Sequence, residues 1–209
     1  MEDYLLLFLK PGDDQETGFS QWRKEIFSGR LDINEFLLLD SDDTLGDGKK
    51  YRHLNIYRLT DLSSLTGLEI DEYMQTNSAY NYLSTYHWQL YSSIAEVRQS
   101  PLSAVTVVTV GITIPTDPES HQKLDEWYTQ EHIPSLAAVP GWQAGIRLQL
   151  TDRSGKDAEY ATPYLAIHEW AEPNGLGGDI WKKAVFTPWS ERIMKLQTAP
   201  VHRRVWRCV

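Results

Sequence analysis

Two stretches of the chain open in the same way. An apolar run from Tyr4 to Leu9 stops at Lys10-Pro11-Gly12-Asp13, and another from Val105 to Ile114 stops at Pro115-Thr116-Asp117. A helix-like stretch carrying a tryptophan follows each turn, Trp22 in one case and Trp127 in the other. Runs rich in Val, Ile, Thr and aromatic residues, bounded by Pro, Gly and Asp, predict strands over 4–10, 34–40, 51–59 and 86–93. The same signals predict strands over 105–114, 145–151, 163–170 and 201–208. Helices are predicted over 18–28, 69–83, 119–138 and 179–197. The last is interrupted at Thr187-Pro188, where a threonine cap and a proline at the first helical position restart it.

The resemblance of the halves continues along the chain. His53-Leu54-Asn55-Ile56-Tyr57-Arg58-Leu59 matches Tyr164-Leu165-Ala166-Ile167-His168-Glu169-Trp170, and His87-Trp88-Gln89-Leu90-Tyr91 matches His202-Arg203-Arg204-Val205-Trp206. The offset grows smoothly, from 104 at the prolines to 111 and then 115, as loop insertions would make it grow. We read residues 1–100 and 101–209 as two repeats, each strand, helix, strand, strand, helix, strand. This βαββαβ order is the ferredoxin-like arrangement, an antiparallel sheet with helices on one face. Its bare face needs a partner, and the second copy supplies one. The expected fold is α+β, two tandem ferredoxin-like repeats that form one closed α+β barrel within a single chain.

Charge and composition narrow the partners. The chain has 209 residues and a formal net charge of −9, which argues against sequence-independent nucleic-acid binding. The first repeat carries a charge of −8 and the second −1, and six of the eight tryptophans lie in the second. Function is therefore expected there. No apolar run reaches the roughly 18 residues of a membrane span, and Met1-Glu2-Asp3-Tyr4 lacks a basic signal region. One cysteine, Cys208, cannot form an internal disulfide, so a cytoplasmic location is expected.

The most informative stretch runs from Leu124-Asp125-Glu126-Trp127-Tyr128-Thr129-Gln130-Glu131-His132-Ile133-Pro134 to Val139-Pro140-Gly141-Trp142. It resembles the W-Y-x-x-E-H-I-P…V-P-G-W motif of the dimeric α+β barrel superfamily, in particular EthD-like proteins. The resemblance implies the barrel independently of the repeat. It does not choose a reaction, because the superfamily includes polyketide cyclases, decarboxylases, cofactor-free oxygenases and haem enzymes.

Spacing places Leu124, Tyr128 and His132 on one helix face, toward the sheet. Pro134 removes a backbone donor just after His132 and distorts the helix, leaving room for a cavity. His132 then has two readings: a proton-transfer group, or a structural group bonding a carbonyl freed by Pro134. The first repeat has no equivalent, since Trp22 is followed by Arg23-Lys24-Glu25-Ile26-Phe27. In the third strands, alternation puts Leu54, Ile56, Leu165 and Ile167 on an aliphatic face suited to a dry barrel interior. His53, Asn55 and Tyr57, with Tyr164, Ala166, His168 and Trp170, share the opposite face, suited either to a pocket under the helices or to hydrogen-bonded packing. His87, His202 and His121 are read as structural or solvent-facing. The tryptophans, Trp127, Trp170 and Trp189 among them, could line an aromatic site or belong to the core.

Other signals fail. Asp40 to Gly48 has Leu45 where a calcium loop needs glycine and is read as an acidic hairpin loop. Gly175-Leu176-Gly177-Gly178 lacks a P-loop lysine and is read as a flexible connection or lid. No zinc spacing occurs, and no metal site is expected. Haem enzymes of the superfamily typically use a histidine on a helix against the sheet, and neither 69–83 nor 179–197 contains one. The expected protein is a cofactor-free enzyme acting on a hydrophobic aromatic or polyketide-like molecule by cyclisation, dehydration, decarboxylation or tautomerisation. His132, His168 and Tyr128 would be catalytic, and Trp127, Tyr164, Ala166, Trp170, Trp189, His53 and Tyr57 would bind substrate. The alternatives are a cofactor-free or haem-dependent oxygenase and a non-catalytic carrier of apolar ligands. The assembly would be a monomer with an internal pseudo-dimer, or a homodimer of such barrels.

Overall fold

The computed structural model describes residues 2–27, 33–43, 50–60, 65–77, 79–101, 103–155, 157 and 160–209. The elements run β1 (Asp3–Pro11), α1 (Glu16–Glu25), β2 (Ile33–Ser41), β3 (His53–Leu59), α2 (Gly67–Thr76), α3 (Ala79–Tyr82) and β4 (Leu83–Arg98). They continue with β5 (Thr106–Ile112), α4 (Pro118–Trp127), a π-turn (Tyr128–His132), α5 (Ile133–Ala137) and β6 (Trp142–Arg153). The chain ends with β7 (Tyr164–Trp170), α6 (Asp179–Val185), α7 (Pro188–Leu196) and β8 (His202–Cys208). The strands hydrogen-bond in the order β1-β3-β2-β8-β5-β7-β6-β4 and close into a barrel. This is the α+β barrel expected from the repeated βαββαβ pattern.

Packing divides the chain differently from the repeat boundary near residue 100. One compact unit takes residues 1–93, 149–161 and 206–209, and the other takes 94–148 and 162–205. Strands β4 and β6 are longer than expected and each contributes to both units. At its end β4 runs on through Ile94 and Val97, both exposed, to Arg98, which donates to both oxygens of the buried Glu169, at 2.7 and 3.0 Å. That bidentate pair anchors a strand end beyond the predicted 86–93.

In the first unit β1 pairs antiparallel with β3, Leu6 opposite Ile56, and with β4, Leu6 opposite Gln89. Tyr4 to Leu9 are all buried because both faces of the strand are covered. Leu5, Leu7 and Leu9 join Phe19, Trp22, Ile70 and Met74 under the helices. The opposite face is less aliphatic than expected. There Phe8 meets Tyr51, His87 and Trp206, and His87 Nδ1 lies 2.5 Å from Ser154 Oγ. Gln89 Nε2 contacts His87 Nε2 at 2.9 Å, and Tyr91 donates to Gln89 at 3.0 Å. His87 is fully buried, not an exposed strand-end residue, since β4 continues past it and every ring nitrogen finds a partner. Of the acidic loop, residues 44–49 lie outside the described residues; Asp40 is committed to Arg23 and His53, and Asp42 to Arg207 at 3.1 Å.

In the second unit β5 pairs antiparallel with β7, Thr109 opposite Ile167. Val108, Ile112, Ala166 and Trp170 face Leu124, Trp127, Leu136 and Ile193 of the helices. Asp117 caps α4 by accepting from Ser120 N, and Thr187 caps α7 by accepting from Ser190 N, both followed by proline in the first turn. No helix of the described residues is long and apolar enough to cross a membrane.

Candidate functional site

The motif helix does not run through as one α-helix. After α4 the backbone widens for one turn, and Ile133 N–H reaches Tyr128 O, five residues back. Regular α-geometry resumes in α5 with Pro134, which has no N–H to give to the turn before it. Such π-turns accommodate a local strain and recur at functional sites. Here the turn carries Tyr128 at its start and His132 at its end.

Both residues face a partly open cavity of about 570 Å³ lined by β5, β7, the motif helix, α6, α7 and β8. Its walls are almost wholly apolar, with Val108, Val110, Ile112, Leu136, Trp127 and Trp170 prominent. The His132 ring stacks on Trp127, centroids 4.1 Å apart and 22° from parallel, and meets His168 edge-on at 6.1 Å. Trp142 Nε1 approaches His168 Nδ1 at 3.5 Å, which directs the His168 proton to Nε2. Gly145 makes this approach possible, since a Cβ there would stand 2.7 Å from Ile133 Cδ1 and 3.4 Å from His168 Nδ1.

Burial sets the charge state of both rings. Desolvation, then His168, lowers the His132 pKa to about 3; desolvation, then the positive Arg203, lowers that of His168 to about 4. Both imidazoles are neutral at physiological pH. Tyr128 is pushed up to about 12 by burial, partly offset by Arg147, whose guanidinium lies 4.4 Å over its ring. Two buried polar atoms in the cavity wall, His132 Nδ1 and Trp170 Nε1, have no hydrogen-bond partner among the described residues. The bond from His132 to a freed carbonyl, one of its two expected readings, is therefore not made through Nδ1.

The structure brings together His132, His168, Tyr128, Trp127 and Trp170. It leaves out the others. Ala166 is buried in the core beneath the cavity, and Trp189 packs against that core without reaching the space. Tyr164 sits at the far end of β7, its hydroxyl 3.2 Å from His121 Nδ1, so His121 is half-buried and not free in solvent. Leu176 brings the glycine loop into the cavity wall, and Gly175 N donates to Pro140 O at 2.8 Å. Sequence reasoning missed Ser190, Glu191, Lys195 and Arg203, which meet at the cavity only because α7 and β8 close over it.

His53 and Tyr57 belong to a filled region of the first unit. Arg23, 4% exposed, donates to Asn55 Oδ1 at 2.7 Å, Leu39 O at 2.7 Å and Leu54 O at 3.1 Å, and pairs with Asp40. His53 Nδ1 lies 2.7 Å from Asp40 and 3.2 Å from Arg23. Asn55 Nδ2 donates to the Tyr57 hydroxyl at 2.8 Å. These two residues are packing and ion-pair partners there, because α1 supplies a guanidinium and Phe27 fills the remaining space.

The histidines fit haem poorly. An iron ligand is normally oriented by a hydrogen bond from its other ring nitrogen, and His132 Nδ1 has none. His168 accepts at Nδ1, so Nε2 holds the proton and not a free lone pair. Among the described residues no group of three His, Cys, Asp or Glu side chains could hold a metal ion.

Neither a protein-family model nor a curated protein matches the chain by sequence. Solved structures match it along its whole length. An anthrone oxidase-like protein is 13% identical with a TM-score of 0.59, covering 100% of this chain and 91% of its own. A putative monooxygenase from Fusobacterium nucleatum is 8% identical with a TM-score of 0.61, covering 99% and 92%. A putative chlorite dismutase is 13% identical with a TM-score of 0.54, covering 100% and 95%. At such identities the likeness establishes the fold, that of the dimeric α+β barrels, here completed by one chain.

Proposed function

We propose that this protein is a cofactor-free oxygenase for a hydrophobic aromatic carbon acid, with His132 as base and His168 as hydrogen-bond donor to the reduced oxygen. The observation that carries the reading is the facing pair of neutral imidazoles, 6.1 Å apart in an apolar cavity, one with a bare Nδ1. A neutral imidazole accepts a proton from a carbon next to a conjugated carbonyl. The imidazolium and the carbanion then stabilise each other strongly in a low-dielectric cavity, which offsets the low basicity of the empty site. The carbanion supplies the electrons that reduce O2. A C–O bond forms to give a peroxide, its O–O bond breaks, and water leaves. In sum a CH2 group and O2 become a C=O group and H2O. The His132 imidazolium returns its proton to the departing oxygen, which His168 Nε2–H steadies by a hydrogen bond, and Trp127 stacks on the His132 ring.

The anthrone oxidase-like and monooxygenase-like neighbours support oxygen chemistry over the lyase or isomerase chemistry expected from sequence. The same base would serve either. We keep the EthD-like relationship on the strength of the Trp127 to Trp142 motif, and read the protein as a cytoplasmic monomer. Anthrone is the probe that tests the reading, in an oxygen electrode. One O2 should be consumed per anthraquinone formed, above the uncatalysed rate, and His132→Ala should return the rate to background. Product formed under argon at the aerobic rate, or a Soret band in the active protein, would overturn it.

A further inference from the structure

Among the polar side chains of the cavity wall, Ser190 begins a line of hydrogen-bonded groups that leads away from it. Ser190, 5% exposed, stands in the cavity wall on α7. Its Oγ accepts from Trp127 Nε1 at 3.3 Å and lies 2.9 Å from Thr187 Oγ1. Thr187 Oγ1 lies 2.5 Å from Glu131 Oε1, on the π-turn. The cap on α7 explains why Thr187 is close to Ser190, but not why a carboxylate meets the same hydroxyl.

The proton count gives the line a direction. Thr187 has one hydroxyl proton, and the carboxylate, as the charged acceptor, takes it. The Ser190 proton therefore points at Thr187, and Ser190 Oγ keeps one lone pair after serving Trp127. A lone pair facing an otherwise apolar cavity calls for a ligand O–H, not a ligand carbonyl.

We infer that Ser190, Thr187 and Glu131 form a proton relay that receives the hydroxyl proton of a phenolic or enolic substrate. The substrate O–H breaks as Ser190 gains that proton and passes its own to Thr187. Thr187 passes its proton to Glu131, which ends as a carboxylic acid, and an aryloxide or enolate remains in the cavity. The inference rests on the reading of the cavity as an aromatic-substrate site and narrows it to hydroxylated aromatics or enols. Ser190 touches the substrate; Thr187 and Glu131 act through it.

The test uses 2-naphthol, whose hydroxyl becomes strongly acidic on excitation, so that emission from naphtholate reports a proton acceptor in reach. Bound to the wild-type protein under argon, 2-naphthol should emit from naphtholate. Glu131→Gln, which leaves the Thr187 cap on α7 in place, and Thr187→Val should each reduce that emission at least tenfold with 2-naphthol still bound, and Thr187→Ser should retain it; a merely structural role would leave the emission of Glu131→Gln unchanged. Three results would overturn the relay. The first is emission from bound neutral 2-naphthol alone, and the second is failure of 2-naphthol to bind, read by tryptophan quenching. The third is naphtholate emission that survives both variants and vanishes in His132→Phe. No oxygen is needed, so naphtholate emission without oxygen uptake on anthrone defeats only the oxygenase reading, and uptake without emission defeats only the relay.

Discussion

Trp22 to Phe27 and Trp127 to His132 occupy the same place in the two repeats and end differently. In the first, α1 stops at Glu25 and the chain turns through Phe27 in a left-handed conformation, φ 61°. In the second, the helix continues through a π-turn to His132. The partner on the third strand is Tyr57 in one case and His168 in the other. The ring pairs have nearly the same geometry, Phe27 to Tyr57 at 5.3 Å and 75°, His132 to His168 at 6.1 Å and 80°. Yet Phe27 also stacks on Tyr73 at 4.4 Å, and Arg23 takes the position of Tyr128 with its polar neighbours satisfied. One copy is packed around a buried guanidinium, Arg23, that reaches the half-exposed Asp40. The other keeps the frame, omits the filling and leaves polar atoms unpaired, and that omission is what makes a site.

Transplanting the filling is the strongest way to break the comparison. His132→Phe with His168→Tyr should remove oxygen uptake on anthrone, a loss of roughly 10²–10⁴-fold, the share that positioned acid–base groups supply. Far-ultraviolet circular dichroism should be unchanged, because the first repeat already folds with that pair.

Acid offers the next test. Both histidines have folded pKa values below their unfolded value, so below about pH 6.5 the unfolded chain binds more protons and stability falls with pH. Each withdraws about 1.4 kcal/mol per pH unit, down to about pH 4 for His168 and about pH 3 for His132. Urea midpoints from pH 7 to 4.5 should show this slope in the wild type and a shallower one in the Phe/Tyr variant. By the same sign kcat/KM should stay level from pH 8 to about 5, with no inflection near 6.5, and fall toward pH 4.

The smallest effect concerns the close packing behind the rings. Gly145→Ala forces Ile133 and Trp142 to yield and should cost about 1–3 kcal/mol, measured by thermal unfolding. It should also weaken anthrone binding, since Trp142 orients His168.

Much of this was legible in the residues. Alternation on the third strands put His168 and Trp170 under the helices, and the E-H-I-P segment put His132 opposite them. The same parity also chose His53 and Tyr57, which pack against Arg23 and Phe27 in the first unit, because parity names a face and cannot say what lies above it. Ser190, Lys195 and Arg203 carried no local signal; their nearness to the cavity depends on how α7 and β8 pack. The π-turn was hidden because Leu124, Tyr128 and His132 fit an ordinary helical spacing almost as well.

That turn makes the site sensitive to chain length more than to side-chain identity. Thr129 and Gln130 are exposed within it, so exchanging them leaves His132 where it is. Deleting either would remove the residue that widens the turn, so the segment would close as a regular α-helix with the residues beyond it held in register, and only the turn that carries His132 would be redrawn. The fold would keep its helix and its stability, and the imidazole would lose its aim. A single codon dropped from this stretch thus redraws the one turn that aims the imidazole, without touching any residue that lines the cavity.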